Sequence, residues 1–323
     1  MARIFGKLAP RDEFPHEVGA EPNFNESMYF NFFDPARRLG GFLRIGNRPN
    51  EGYAEMTATV FLPDGRVLFD FQRPKIADNA SFDAGGTRFE VIEATESLRT
   101  TYRGSPLALR EPREMTDPRR AFTSNPHVAV SIDLLHTAVG PMYGSADDET
   151  EAEASHEEQF AKAHYEQHMR VAGVVEIDAA RVEIAGHGLR DHSWGPRYWQ
   201  AIDGYEWLTM SFGDDLGAMV SVIRRPGKAP RVGGVVVRGD TIDPIDDVRI
   251  AIEHEPDGLF HRALEVDAVT RSGECLTIEG RVLSFIPLRN RRGGRTTHVG
   301  EGMTEWKLGK RTGFGLSELL RTL

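Results

Sequence analysis

Residues 186–200 read Gly-His-Gly-Leu-Arg-Asp-His-Ser-Trp-Gly-Pro-Arg-Tyr-Trp-Gln, the densest run of chemically capable side chains in the molecule. Asp191 and His192 are residue types that move protons near neutral pH. Trp194, Tyr198 and Trp199 suit an apolar ligand better than an aqueous surface. Gly186, Gly188 and Gly195 permit close backbone approach. In an extended strand, Asp191 and Ser193 face one way and His192 and Trp194 the other. A His beside an indole could protonate an alkene or enol, and the ring would stabilise the developing cation by roughly 1–2 kcal/mol when desolvated. Asp191 could instead pair with Arg190 or Arg197. Equally, Arg-Asp-His can form a buried network that closes a barrel, with the tryptophans filling its mouth.

Other clusters carry weaker chemistry. His164-Tyr165-Glu166-Gln167-His168 has metal-ligand spacing if helical, since His164 and His168 then share a face; on a strand, His164, Glu166 and His168 share one. A polar site wall or plain surface is the preferred reading, and no metal is expected. In Glu301-Gly-Met-Thr-Glu-Trp306, Glu301 and Glu305 share a strand face. They could be a general acid/base pair of the glycosidase kind, but an exposed face explains them better. Arg289, Arg291, Arg292 and Arg295 surround Gly293-Gly294 in what reads as a charged loop. No phosphate-binding loop, Gly-x-Ser-x-Gly elbow or dinucleotide fingerprint is present, so no cofactor is expected.

These groups need elements to hold them, and strand-like alternation dominates the chain. Ser27–Phe33 is aromatic on both faces, which demands burial on both or one face lining an apolar cavity. Segments 55–62 and 66–72 flank Pro63-Asp64-Gly65, a hairpin signal. Further strands are expected at 87–92, 96–102, 128–134, 171–177, 181–185, 205–212, 218–224, 232–238, 247–254, 264–270, 276–284 and 301–308. Helices are expected only at 155–168 and 316–323. Short strands at this spacing, with few short helices, predict an all-β barrel or sandwich. The acidic break at 145–158 suggests an N-terminal unit over 1–180 and a C-terminal unit over 181–323.

The chain has 323 residues and a formal net charge of −10, which argues against a nucleic-acid partner. Cys275 is the sole cysteine, so neither an intrachain disulfide nor a multi-cysteine metal site can form. No window approaches the roughly 18 apolar residues of a membrane helix, and the N-terminus lacks the apolar stretch of a secretion signal. A cytoplasmic protein is expected, and a homodimer is compatible with the sequence.

The run Gly-Leu-Arg-Asp-His-Ser-Trp-Gly, followed by Trp199, resembles the signature of the carotenoid 1,2-hydratase (hydroxyneurosporene synthase) and lipocalin-like family, itself similar to tocopherol-cyclase-like and Diels–Alderase-like proteins. The resemblance is strongest over residues 164–212. His192 and Trp194 match the family's Asp-His-Asn-Trp-Gly element, with Ser193 in place of Asn. Where the hydratases carry a Tyr and an Asp further along, Ala218–Ile223 offers neither. The resemblance implies two tandem lipocalin-like β-barrels or curved sheets with a ligand cavity near their junction. It also implies cofactor-independent lyase, isomerase or cyclase chemistry on a hydrophobic terpenoid, steroid or aromatic substrate. His192 is then the expected acid/base and Asp191 its partner, Trp194 and Trp199 form the apolar wall, and Tyr29, Glu166 and Trp207 are further cavity candidates. The alternative is a non-enzymatic carrier of a lipophilic small molecule.

Overall fold

The computed structural model describes residues 3–146, 163–198, 201–256, 258, 260–292 and 294–322. Among them the chain is all-β, in two units. The first is an open thirteen-stranded sheet that curls over its own core. Its strands are β1 (Ile4–Lys7), β2 (Phe24–Asp34), β3 (Leu39–Arg48), β4 (Tyr53–Phe61), β5 (Val67–Gln72), β6 (Phe82–Ala84) and β7 (Thr87–Glu93). They continue as β8 (Ser97–Gly104), β9 (Leu107–Leu109), β10 (Val130–Ala138), β11 (Met142–Ser145), β12 (Ala163–Ile177) and β13 (Ala180–Pro196). Spatial order runs β6-β7-β8-β10-β12-β13-β2-β3-β4-β5-β9, with β11 beside β12 and β1 parallel to β11.

The second unit is a closed barrel of β14 (Gly204–Ser211), β15 (Gly217–Arg224), β16 (Arg231–Arg238) and β17 (Thr241–His254), then β18 (His261–Thr270), β19 (Cys275–Arg292), β20 (Arg295–Leu308) and β21 (Arg311–Thr322). One short α-helix, α1 (Pro118–Ser124), is capped by Asp117, whose side chain accepts from the Arg120 N–H. No helix among the described residues is long and apolar enough to cross a membrane.

Several expectations need correction. β13 is central to the first sheet, paired along its length with β12 and also with β2, so the sheets divide between Pro196 and Gly204 rather than at residue 180. The tail is strand, not helix: β21 closes the barrel between β20 and β14, and an unpaired barrel edge would be left if it coiled. Residues 163–168 are likewise strand, while the rest of that expected helix lies outside the described residues. The arginine-rich loop is the tip of the β19–β20 hairpin, and Arg289 donates to the Thr116 carbonyl.

Each sheet face has its own core. Phe30 and Phe32 of β2 point into the N-terminal core with Leu43, Ile45, Met56, Leu134 and Met169. Tyr29 and Phe33 point the other way, onto Phe42, Phe61, Ile286, Met303 and Leu316. That second cluster mixes residues of both units and is where the outer wall of the barrel seats on the sheet. Polar contacts reinforce the seat: Asn31 Nδ2 donates to Thr209 Oγ1 at 3.3 Å, and His168 Nε2 lies 3.2 and 3.3 Å from the Met210 and Ala218 carbonyls.

Gly186 and Gly188 of the 186–200 run act through close approach, and Gly195 takes a φ of 114°. A Cβ on Gly188 would lie 1.9 Å from the Asn31 carbonyl oxygen, which is backbone and cannot swing aside. Gly188→Ala is therefore expected to destabilise the fold by about 3 kcal/mol or more, a fall in Tm on the order of 10 °C in thermal denaturation followed by circular dichroism. Gly233→Ala, whose Cβ meets only the Ser221 hydroxyl at 3.2 Å, should cost about 1 kcal/mol or less.

Candidate active site at the junction of the two units

Strand register lines up two facing rows of side chains. Across the sheet, Tyr143, Glu166, Asp191, Tyr29 and Arg44 are successive cross-strand neighbours on β11, β12, β13, β2 and β3. Across the barrel wall, Trp207, Glu318, Glu301 and Ile286 are neighbours on β14, β21, β20 and β19. The rows meet: Trp207 Nε1 donates to Glu166 Oε1 at 2.7 Å, and the Tyr29 and Trp207 rings pack edge to face at 5.3 Å. Tyr143 donates to Glu166 Oε2 at 3.0 Å. Asp191 Oδ2 lies 3.0 Å from His164 Nε2.

Four carboxyl groups thus share one buried junction with Arg44, Arg197 and His164. Burial pushes Glu301 up to about 8, against the pull of Arg44. Burial also pushes Glu318 up to about 8, with the Asp191 charge adding and Arg44 and Arg197 opposing. Glu166 rises to about 7, mainly through burial, with Asp191 adding and His164, Trp207 and Tyr143 opposing. Burial brings Arg197 down to about 10, with Arg44 adding to it. For His164, burial works against the charged ring, but the hydrogen bond with Asp191 and the nearby Glu166 outweigh it and raise the imidazole. Protonated carboxyls at neutral pH are general acids in waiting.

Two buried atoms here have no hydrogen-bond partner among the described residues, Glu301 Oε2 and Arg44 Nη2. Such atoms normally find partners, so an orphaned acceptor and donor in one junction mark a place for a ligand's polar group or for water. His164, Asp191 and Arg44, beside the buried Glu166 and Tyr29, keep 36, 18 and 18% of their side-chain surface accessible, so solvent reaches a recess at this edge of the junction. Two open grooves, of about 640 and 540 Å3, lie elsewhere on the sheet and the barrel and share no lining residue with it.

Of the residues singled out in the sequence, Asp191, Tyr29, Glu166 and Trp207 come together here. His192 and Trp194 do not. They lie on the opposite face of β13, as the alternation of the strand requires, so Asp191 and His192 cannot act as one hydrogen-bonded pair. His192 is fully buried, its Nε2 2.8 Å from Glu26 Oε1 and its Nδ1 3.2 Å from the Tyr165 hydroxyl. Trp194 stacks on His16 at 3.8 Å. Arg190, on the same face, pairs with Glu13 and Tyr165 rather than with Asp191. Trp199 lies outside the described residues. His164 and His168 share a face without converging, since His168 turns to barrel carbonyls.

Glu301 corrects the exposed-face reading: only 4% of it is accessible, because the face it shares with Met303 is covered by the sheet. Glu305 lies at the edge of that cover and pairs with Arg281 at 3.1 Å, so the two glutamates do not form an acid/base pair. Glu318 and Arg44 were missed altogether. Counting back from the turn at Gly309-Lys310 pairs Glu301 with Glu318, a signal hidden by reading the tail as helix.

The raised carboxyls have a thermodynamic consequence. Glu301 and Glu318 hold their protons to about pH 8 when folded but release them near 4.5 when unfolded, so stability should fall as pH rises through that window. Urea denaturation at pH 5 and pH 8 should show a loss on the order of a few kcal/mol per carboxyl. Glu301→Gln, a neutral isostere, should flatten the slope. Glu26, held down to about 2 by its hydrogen bonds with His16 and His192 against the cost of burial, acts oppositely and weakens the fold only below pH 4.5.

The fold is shared widely at low identity. A Nitrosomonas europaea protein provisionally assigned as AttH aligns at 14% identity and a TM-score of 0.60, over 97% of this chain and 96% of that one. Kievitone hydratase from Nectria haematococca aligns at 9% identity and 0.60, over 99% and 97%. CghA aligns at 11% identity and 0.58, over 99% and 94%. Such likenesses concern the fold, a lipocalin-like pair of β units. No curated protein matches the chain. The family model described as a domain of unknown function, DUF7064, matches residues 9–322, and the chain belongs to that family.

Proposed function

We propose that this protein is a hydratase- or cyclase-type enzyme that performs acid/base chemistry on a hydrophobic small molecule held where the barrel meets the sheet. One observation carries the reading: two carboxyl groups that hold their protons near neutral pH, Glu301 and Glu318, converge with Glu166 and Asp191 on a recess whose other wall is aromatic and aliphatic. A hydratase shares the fold, as does CghA, which has also been solved with Sch210972.

The chemistry follows from the groups present. A protonated Glu301 or Glu318 gives its proton to one carbon of a C=C bond, and positive charge develops on the other. Asp191 and the conjugate base of the donor stabilise that cation in a setting that excludes bulk water. Water captures it and returns its excess proton to the carboxylate, or an internal nucleophile closes a ring. Tyr29, Trp207, Phe42 and Met303 shape the wall against which the apolar body lies. His192 and Trp194, on the other face of β13, hold that strand rather than touch substrate. The lipophilic-carrier alternative needs the recess but not the acids.

The two part in heavy water. Incubated in D2O with prenylated phenols, isoprenoid alkenes and conjugated enones, the enzyme should place deuterium on carbon in at least one product, seen by mass spectrometry. Glu301→Gln or Glu318→Gln should cut kcat on the order of 100-fold or more, and activity should fall above about pH 8 as the acids ionise. Binding of these probes without exchange would leave a carrier. Loss of turnover in a folded His192→Ala protein, with both glutamine variants active, would move the chemistry to the other face of β13.

A further inference from the structure

We propose that His16, Glu26 and His192 form a binding site for one divalent first-row metal ion, zinc in the first instance, which fastens the N-terminal strap, the segment joining β1 to β2, to the sheet. His16 Nδ1, Glu26 Oε1 and His192 Nε2 all lie within 4.8 Å of one another, the carboxylate oxygen 2.7 and 2.8 Å from the two nitrogens. Two imidazoles and a carboxylate are a recognised zinc donor set. The three residues come from separate places: His16 from the strap before β2, Glu26 from β2, and His192 from β13.

Proton counting is what asks for a cation. The Tyr165 hydroxyl has one proton, and it goes to Glu13 Oε1 at 2.7 Å. Arg190 already donates to the same hydroxyl oxygen at 2.9 Å. The oxygen can therefore only accept from His192, which places a proton on His192 Nδ1. In a neutral ring, that leaves the Nε2 lone pair facing the Glu26 carboxylate at 2.8 Å, acceptor against acceptor, unless a cation lies between them.

His16 tells the same story. If its Nδ1 donates to Glu26, its buried Nε2 is left with no hydrogen-bond partner among the described residues. If Nδ1 instead offers its lone pair to a metal, the Nε2 proton faces Asp12 Oδ1 at 3.6 Å. The Tyr165 hydroxyl stands behind His192 within hydrogen-bond reach, the arrangement that orients histidine ligands, and Asp12 stands behind His16 as an ion-pair neighbour beyond that reach.

The setting is otherwise prepared. Asn79 Nδ2 and the His16 backbone N–H hold Glu26 Oε2. Trp194 stacks flat on His16, at 12° between ring planes, and Phe82 meets His192 edge-on at 5.5 Å. His16 keeps 21% of its side chain exposed and provides access from solvent. An ion about 2.0–2.1 Å from each donor needs them roughly 3.3 Å apart, so Glu26 would have to withdraw by roughly half an ångström and the exposed edge of His16 would set the spacing of the two imidazole nitrogens. The ion would sit across β13 from the carboxyls of the junction and take no part in their chemistry.

The test uses the full chain without an affinity tag, dialysed against Zn2+ and then against metal-free buffer. One equivalent of zinc by elemental analysis, a Tm raised by zinc and lowered again by chelator, and at least tenfold weaker binding in His16→Ala and Glu26→Gln are expected. X-ray absorption of the zinc-loaded wild type reads the site without relying on any variant and should show two imidazoles with oxygen ligands. Less than a tenth of an equivalent would overturn the site. Undiminished binding in folded variants, or an all-oxygen shell, would overturn it by placing the ion elsewhere.

Discussion

Everything distinctive in this molecule depends on the two-residue pleat of β13. The strand lies between β12 and β2 in the middle of the sheet, so both of its edges are paired, and the N-terminal network on one side and the barrel on the other cover its faces. One face carries Arg190, His192 and Trp194 into a network with Glu13, His16, Glu26 and Tyr165. The other carries Asp191 toward the barrel, beside Glu166 and Tyr29. Neighbouring residues thereby serve unrelated surroundings. A shift of register by one residue would exchange them and bury the wrong charges on both sides.

The two faces resolve buried charge differently. Behind β13, Glu13 meets Arg190 in a fork and its carboxyl is held below its usual range, with Arg190 outweighing the cost of burial. At the junction, Glu301 and Glu318 face each other across β20 and β21 with too little positive charge nearby, and burial keeps them protonated. That second arrangement costs stability at neutral pH. Departures of this kind from the rules of a stable interior are what functional sites look like.

Much of this was legible in the sequence and some was not, for physical reasons. The all-β character and most strands follow from alternation, and the Pro63-Asp64-Gly65 hairpin forms as its residues demand, with Gly65 at φ 89. The separation of Asp191 from His192 follows from the pleat alone. Strand β3 escaped because Gly40, Gly41 and Gly46 interrupt its pattern, and with it went Arg44. The tail's Leu-Ser-Glu-Leu-Leu reads as well for helix as for strand, and only the need to close the barrel decides it. Glu318 could not be recognised until that was known. The chemical density of residues 186–200 drew attention to a true centre of the fold, but the acids that meet across the junction are spread over residues 166–318.

Whether those acids hold their protons is the question on which the functional reading turns. Infrared difference spectroscopy reads it directly, because a protonated carboxyl has a C=O stretch that a carboxylate lacks. Spectra of wild type minus Glu301→Gln and wild type minus Glu318→Gln at pH 7 should each show that band, disappearing as pH is raised past about 8. Carboxylate bands alone at pH 7, in both differences, would contradict it.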